Sequence, residues 1–340
     1  MTDLAVGGAP SIADTLAAPA TTAAPDASAL EQYRPELTAY AYRMLGSAFE
    51  AEDAVQEAMV RAWRGLGRFE GRSALRSWLY RITTNVCLDM LKGRDRRTRP
   101  MDMGPAGTAD GPLGDRLPEV PWLEPIPDAR VLPSDGDPAQ LVETRESVRL
   151  AFVAALQHLP PRQRAVLILR EVLRWQATEV AELLDTSVAS VNSALQRARA
   201  TLSARAGDEP PSATVAPEQQ ELLARYVDAF ERYDITSLVA LLHEDAIMSM
   251  PPYDFWLQGP APMYEWFLGH GIGCKDGRII PTLAANGCPA YGTYRIDPAG
   301  GFFPWSVQVL ELSGDRIVGH HNFLDTNLFA TFGLPTHLDD

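Results

Sequence analysis

Apolar side chains recur at helical spacing in two blocks of the chain, residues 29–94 and 141–205. In both blocks the apolar positions lie three or four residues apart, so that they line one face of each predicted helix. The pattern predicts two separate all-α regions.

The C-terminal part has a different pattern. Two short helical stretches, residues 219–232 and 235–243, precede apolar runs that are typical of strands. These runs are AIMSM (246–250), GTYRI (292–296), FFPWSVQVLEL (302–312) and RIVGHHNFL (316–324). Asp276–Gly277 and Gly314–Asp315 are turn signals. We therefore expect an α+β domain here.

Segments rich in proline, glycine and aspartate separate these blocks and indicate linkers. The Ala/Pro/Thr-rich N-terminus is typical of a disordered arm. The predicted organisation is an arm, a first helical region, a linker, a second helical region, a short linker and the α+β domain. The corresponding boundaries are 1–28, 29–98, 99–138, 139–206, 207–216 and 217–340.

The formal net charge of −14 is unevenly distributed along the chain. Residues 29–100 carry +4 and residues 139–209 carry +1, whereas residues 101–138 carry −6 and residues 210–340 carry −10. Because salt screens charges beyond about 8–10 Å, a local basic face can bind phosphate even in an acidic protein.

Residues 176–202 have the pattern of a helix-turn-helix. A turn at Asp185–Thr186 follows a first helix, and Thr186 or Ser187 is the expected N-cap of the second. Val188, Val191, Leu195, Ala198 and Leu202 are expected to form the buried face of the second helix. Small polar and basic residues on its other face could contact base edges and phosphates.

The upstream block contains DAVQEAMVRAW (53–63), FEGRS (69–73) and SWLYRITTNVCLD (77–89). Together with LPPRQRAVLILREVLRWQATEVAELL (159–184) and the helix-turn-helix, these motifs resemble regions 2 and 4 of the extracytoplasmic-function sigma factors of the sigma-70 family. The resemblance covers about half of the chain. It implies binding to core RNA polymerase, through the clamp helices of the largest subunit and the flap of the second largest, and binding to promoter DNA.

The resemblance assigns expected roles by matching position. Polymerase contact is expected from Asp53, Gln56, Glu57 and Arg61, whereas Trp63 is expected in the core. The −10 element would be contacted by Phe69, Arg72, Ser73, Arg76, Arg81, Thr84, Asn85, Arg94, Arg96 and Arg97. The −35 element would be contacted by Ser187, Asn192, Ser193, Gln196, Arg197 and Arg199. Asp185, Ala189 and Asn192 depart from the common family pattern, which leaves the base preference open.

The C-terminal segment 221–268, with its D-x-x-x-L-x-x-L-L-x-x-D-A pattern, resembles a SnoaL-like domain, an α+β cone that can enclose a pocket. A small-molecule ligand is therefore a candidate partner. The expected pocket residues are Tyr253, Trp256, Tyr264, His321 and Asp325. His320 and His321 alternate along a strand, so at most one is expected to point inward.

No catalytic residue, metal ligand or cofactor is assigned from the sequence. No apolar run approaches the roughly 20 residues that span a membrane, and we expect a cytoplasmic protein. The favoured function is an alternative sigma factor with a modulating C-terminal domain. Two alternatives stay open: a helix-turn-helix repressor, and a SnoaL-like enzyme fused to a DNA-binding module.

Overall fold

The first helical region is a small bundle. A computed structural model of the chain describes residues 28–69, 74–132, 138–204 and 217–339. The helices of this region are α1 (Ser28–Glu31), α2 (Arg34–Leu45), α3 (Ala48–Gly65) and α4 (Leu75–Met90). Ser47 caps α3 by accepting a 3.2 Å hydrogen bond from the Glu50 amide. The bundle therefore starts its longest helix with a side chain that satisfies an otherwise unpaired amide.

The second helical region contains the helix-turn-helix. Its helices are α5 (Pro138–Glu146), α6 (Leu150–Gln157), α7 (Pro161–Leu167), a π-helical turn (Ile168–Val172), α8 (Ala177–Leu183) and α9 (Val188–Ser203). Asp185 adopts φ +49° between α8 and α9, a left-handed conformation that aspartate tolerates better than most residues. Ser187 is the N-cap of α9, as predicted, and accepts a hydrogen bond from the Ser190 amide.

The C-terminal part folds as an α+β domain. Its elements are α10 (Pro217–Glu231), α11 (Ile235–Val239), β1 (Leu242–Ser249), β2 (Trp256–Gln258), α12 (Pro260–Leu268), β3 (Arg278–Pro281), β4 (Ala290–Ile296), β5 (Phe302–Ser313), β6 (Arg316–Phe323) and α13 (Leu328–Thr331). The sheet order is β2-β1-β6-β5-β4-β3, and only the β1–β6 pair is parallel. The fold class predicted from the sequence is confirmed. The second helical stretch ends earlier than expected because β1 already begins at Leu242.

Both faces of the sheet are covered and carry apolar side chains. One face packs on α10–α12 through residues such as Met248, Leu310 and Leu312. The opposite face, which includes Val307 and Val309, belongs to the same continuous core as both helical regions. In a strand that is buried on both faces, the side chains that point to either face are largely apolar. The back of the C-terminal sheet is therefore an internal surface of the whole molecule.

The linker between the helical regions is a fixed strap over residues 99–132. Leu123 pairs with Thr98 through a backbone hydrogen bond of 2.9 Å, and the Glu124 amide donates to the Gly46 carbonyl at 3.0 Å. Gly46 has φ +72°, and a Cβ at that position would lie 3.0 Å from the Leu123 side chain. The strap continues to the C-terminal domain, where the Trp256 indole donates to the Gly104 carbonyl.

One buried side chain joins all parts of the molecule. Asn286 Nδ2 donates to the Tyr42 hydroxyl at 2.7 Å and to the Val148 carbonyl at 2.6 Å, while its Oδ1 accepts from the Ile126 amide at 3.0 Å. Tyr42 lies in α2, Val148 precedes α6, and Ile126 lies in the strap. A single residue of the C-terminal domain thus contacts both helical regions and their linker.

Across the part of the chain that the structure describes, no helix is both long enough and apolar enough to span a bilayer.

Asn286→Gly should destabilise the protein strongly. Glycine accepts the φ of +55° at this position, so the variant removes only the side chain and leaves the Val148 carbonyl and Ile126 amide buried without their partner. We expect a loss of about 2–4 kcal/mol in the free energy of unfolding, measured by urea denaturation.

Asn327→Gly is the matched control, because that asparagine is exposed and bonds only within its own turn. An equal effect of both variants on the free energy of unfolding would contradict the linking role of Asn286.

Candidate nucleic-acid interface

Helix α3 presents one continuous exposed face. Asp53, Gln56, Glu57 and Arg61 are all exposed, whereas the alanines and Val55 on the opposite face are buried. Arg61 donates to Glu57 at 2.7 Å, an exposed pair four residues apart of the kind that contributes little to stability. These four polar side chains are therefore available to a partner without disturbing the bundle.

Trp63 lies at the end of the same exposed face. Its side chain is 63% exposed, the largest exposed fraction among the exposed large hydrophobic residues of the described chain. The prediction that Trp63 packs in the core is wrong, because α3 turns it away from α2 and α4. An exposed tryptophan beside polar groups is typical of a residue that a protein partner buries.

Five of the arginines predicted to contact the −10 element lie among the described residues, and each has an internal partner. Their contacts are Arg76 with Glu36 at 2.7 Å, Arg81 with the Glu182 carbonyl at 2.9 Å, Arg94 with Glu50 at 2.6 Å, Arg96 with His158, and Arg97 with Glu50 at 2.9 Å. Exposed ion pairs are worth about 0–1 kcal/mol, so Arg94 can exchange its carboxylate partner for a phosphate at little cost.

Two of the predicted −10 contacts need correction. Thr84 is completely buried and donates to the Tyr80 carbonyl, so it cannot reach DNA from this position. The Arg97 side chain is only 11% exposed and donates to the Trp122 carbonyl of the strap, so Arg97 holds the strap in place.

The other predicted −10 residues that the structure describes need no correction of this kind. Asn85 is exposed as predicted, and Phe69 is half-buried against Trp78 with ring centroids 5.1 Å apart. Arg72 and Ser73 lie outside the described residues.

Helix α9 exposes the side chains predicted to contact the −35 element. Asn192, Ser193, Gln196 and Arg197 are exposed, and Val191, Leu195 and Ala198 are buried on the opposite face. Arg199 is exposed but forms a 2.6 Å ion pair with Glu171, and Ser187 uses its hydroxyl as the cap. Val188 is 38% exposed, which corrects its assignment to the buried face. The helix thus presents a polar surface of the size that fits a major groove.

The two helical regions pack directly on each other through buried arginines. Arg43 of α2 donates to the Ser147 carbonyl and hydroxyl, and Arg164 of α7 donates to the Met44 carbonyl and to Gln157. Burial lowers the pKa of each guanidinium to about 10. Each cation is held by neutral oxygens within the described interface, which compensates burial less well than a carboxylate does.

The five predicted pocket residues are not brought together. Tyr264 is 37% exposed, Trp256 bonds to the strap, and Asp325 caps its own turn by accepting from the Asn327 amide. Tyr253 packs partly buried at the edge of the helix-side core. The structure therefore gives these residues separate structural positions.

Both adjacent histidines are buried because each sheet face is covered. His321 lies on the back face, where its Nδ1 bonds to the Ser249 hydroxyl at 2.8 Å and its Nε2 lies 3.5 Å from Glu311. Burial alone would raise the pKa of Glu311, but the hydrogen bond from His321 and the nearby charges of His321, Arg99 and Arg149 hold that pKa below its usual range. The expected alternation is present, yet neither ring is exposed.

His320 lies inside the cone in a closed ring of hydrogen bonds. With His320 protonated on Nε2, the ring runs from Asn322 to His320, on to Tyr226, then to Gln308 and back to Asn322, with contacts of 2.8–2.9 Å. Tyr226 is completely buried, and its hydroxyl is one link of this ring. The polar groups of these four side chains inside the cone thus bond to one another.

Sequence reasoning missed two residues that organise these surfaces. Asn286 precedes a glycine, which signals a turn but not its distant partners. Trp175 follows the π-helical turn, is 6% exposed, and packs at a tilt against Tyr80 of the first region with ring centroids 5.0 Å apart. Neither contact has a signature in the local pattern.

These features define a DNA-binding protein with two helical modules and a fused α+β domain. A sigma-70 region 2 family model matches residues 29–97, and a sigma-70 region 4 model matches residues 149–202. The ECF RNA polymerase sigma factor SigG of Mycobacterium tuberculosis is 49% identical over 317 residues, which cover 91% of this chain and 83% of that protein. The chain therefore belongs to the extracytoplasmic-function sigma factors of the sigma-70 family.

Two further comparisons agree with this assignment. SigW of Bacillus subtilis is 28% identical over 179 residues, covering 52% of this chain and 86% of that protein. The crystal structure of the M. tuberculosis extracytoplasmic-function sigma factor SigJ matches with a TM-score of 0.58 and 21% identity, covering 91% of this chain and all of that chain. The SigJ match extends the shared fold to the C-terminal domain.

The buried His320 makes the C-terminal domain sensitive to acid. Burial, together with neighbouring His321, lowers the pKa of His320 to about 3, whereas an unfolded histidine titrates near 6.5. The stability contributed by the neutral ring is complete above pH about 6.5 and is lost progressively as the pH falls toward 3. Thermal denaturation should therefore show a falling midpoint from pH 6.5 to 5.

His320→Gln should show a weaker dependence over the same interval, because glutamine does not take up a proton. A pH profile identical to that of the unmodified protein would contradict this account. The measurement stops at pH 5 because carboxylates begin to take up protons below that pH and would also change the stability.

Proposed function

We propose that the chain is an alternative sigma factor that binds core RNA polymerase through the exposed face of α3 and recognises promoter DNA with two separate surfaces. Helix α9 would contact the −35 element as duplex, and the exposed side of α4 with the preceding loop would hold the melted −10 strand. The observation that carries the proposal is the simultaneous exposure of Asn192, Ser193, Gln196 and Arg197 on α9 in a chain with a matched sigma region 2.

Geometry indicates that the compact arrangement must open before both elements are bound. Elements about 25 base pairs apart are separated by roughly 85 Å on a duplex that rises about 3.4 Å per base pair. In the structure Arg81 of the first region contacts Glu182 of the second at 2.9 Å. Regions in direct contact do not span that distance.

We further propose that the C-terminal domain restrains this opening. Asn286 bonds to both helical regions and to the strap, and the back of the sheet shares their core. Apolar side chains and the Asn286 amide dominate this junction, which also contains two carboxylates: Glu311 beside His321, and Asp128, which accepts a hydrogen bond from the Gly287 amide. The role is regulatory and requires no catalysis by the domain.

Run-off transcription with purified core polymerase on selected promoters tests the proposal. The unmodified protein should direct initiation, and Asn192→Ala/Gln196→Ala should reduce it more than tenfold, because each lost base contact is worth about 1–3 kcal/mol. Gln258→Ala, an exposed change on β2, is the control. Promoter binding without any transcription would support a repressor instead.

The same assay tests the restraint by the C-terminal domain. Asn286→Gly should raise the rate of transcription initiation at limiting polymerase.

Trp63 provides the sharpest test of the polymerase surface. Trp63→Ala should weaken binding to core polymerase by about tenfold or more, because a tryptophan buried at an interface often contributes about 2 kcal/mol. Tyr264→Ala is a matched control, since it removes a large exposed ring from the C-terminal domain. Equal affinities of the two variants in a fluorescence anisotropy titration would exclude Trp63 from the interface.

A further inference from the structure

Trp175 of the second helical region lies directly on the first. Its ring centroid is 5.0 Å from that of Tyr80, and the Arg76 guanidinium carbon lies 5.6 Å from the indole and 5.2 Å from the Tyr80 ring. The side chain is only 6% exposed, and its indole N–H has no hydrogen-bond partner among the described residues. The two ring planes are tilted by 58°, and the contact is made by the rings and not by the polar group of the indole.

An irregular backbone segment directs this ring. The chain forms a π-helical turn over Ile168–Val172, and Arg174 then adopts φ +57°, a left-handed conformation that is uncommon outside glycine. The Trp175 amide donates to the Leu169 carbonyl at 2.9 Å, and Arg170 donates to the Trp175 carbonyl. The left-handed residue, Arg174, thus directly precedes the tryptophan that contacts the first region.

The surface beneath Trp175 contains side chains expected to contact the −10 strand. Arg76 is held by Glu36 through its edge, which leaves its guanidinium face toward the indole and the Tyr80 ring. Arg81, one turn further along α4, contacts the α8 backbone at Glu182. The second region therefore covers this part of α4 with an aromatic ring and a carbonyl.

Stacking on an aromatic ring and on a guanidinium is how proteins bind unpaired bases, and an indole is a planar bicyclic group close to a purine in size. We propose that Tyr80 and Arg76 form a stacking site for an unpaired nucleobase, that Trp175 occupies this site in the closed protein, and that a base of the melted promoter strand replaces it. The inference rests on the proposed sigma function and adds a specific internal competitor for DNA.

The test measures binding of a fluorescein-labelled single strand to the full-length protein without polymerase. The strand carries the −10 sequence selected by the holoenzyme, and a scrambled strand of the same composition serves as control. Trp175→Ala should bind the −10 strand at least tenfold more tightly than the unmodified protein, and Trp175→Phe, which keeps a smaller ring, should lie between them. Adding Arg76→Met to the Trp175→Ala variant should abolish the gain in affinity for the −10 strand.

A second measurement does not depend on the alanine variant folding well. The difference between the emission spectra of the unmodified protein and Trp175→Phe isolates the Trp175 signal, which should shift to longer wavelength when the −10 strand is added to the holoenzyme. An unshifted difference spectrum, or an equal gain on the scrambled strand, would overturn the proposal. If the holoenzyme transcribes but Trp175→Ala binds the −10 strand no more tightly than the unmodified protein, only this inference is rejected. If the holoenzyme fails to transcribe from any selected promoter, the sigma function itself is rejected.

Discussion

The architecture depends on the buried amide of Asn286. Its three side-chain hydrogen bonds reach Tyr42, Val148 and Ile126, which belong to three different segments of the chain. A buried donor or acceptor that loses its partner costs about 1–3 kcal/mol, so these bonds favour one relative placement of the segments. The shared apolar core stabilises the contact between the segments, and the hydrogen bonds of the amide fix their relative position. Together they position the strap, the helical regions and the back of the sheet as one unit.

Features with a local physical cause could be predicted from the sequence. The helices follow from their apolar spacing, α9 begins at its serine cap, and the polar face of that helix is exposed as its pattern indicates. Four of the six strands of the C-terminal domain, β1, β4, β5 and β6, are predicted from apolar runs and turn signals, whereas β2 and β3 are only three and four residues long and are missed. Predictions failed where tertiary contacts decide the outcome. Thr84 and Trp63 sit on helices whose burial depends on which neighbour covers them, and a helical pattern does not specify that neighbour.

The C-terminal domain is a second case in which the sequence predicts the fold but not the tertiary contacts. Its sequence indicates a cone with aromatic and histidine residues, but not whether the interior is empty. In the ring through Tyr226 and His320 four polar side chains bond to one another, and the candidate pocket residues lie in separate places. The back face of the sheet shares its core with the two helical regions. The strap and the Asn286 contacts connect distant positions, so no local pattern predicts them.

The two buried arginines of the inter-region contact have a consequence for energetics. Arg43 and Arg164 are desolvated against neutral oxygens, and burial lowers the pKa of both. Opening rehydrates two cations, which offsets part of the apolar contact area that is lost. The contact between the two helical regions is therefore less stable than its buried apolar surface alone suggests. In the proposed opening, a partner shifts the populations only by the difference between its affinities for the two forms.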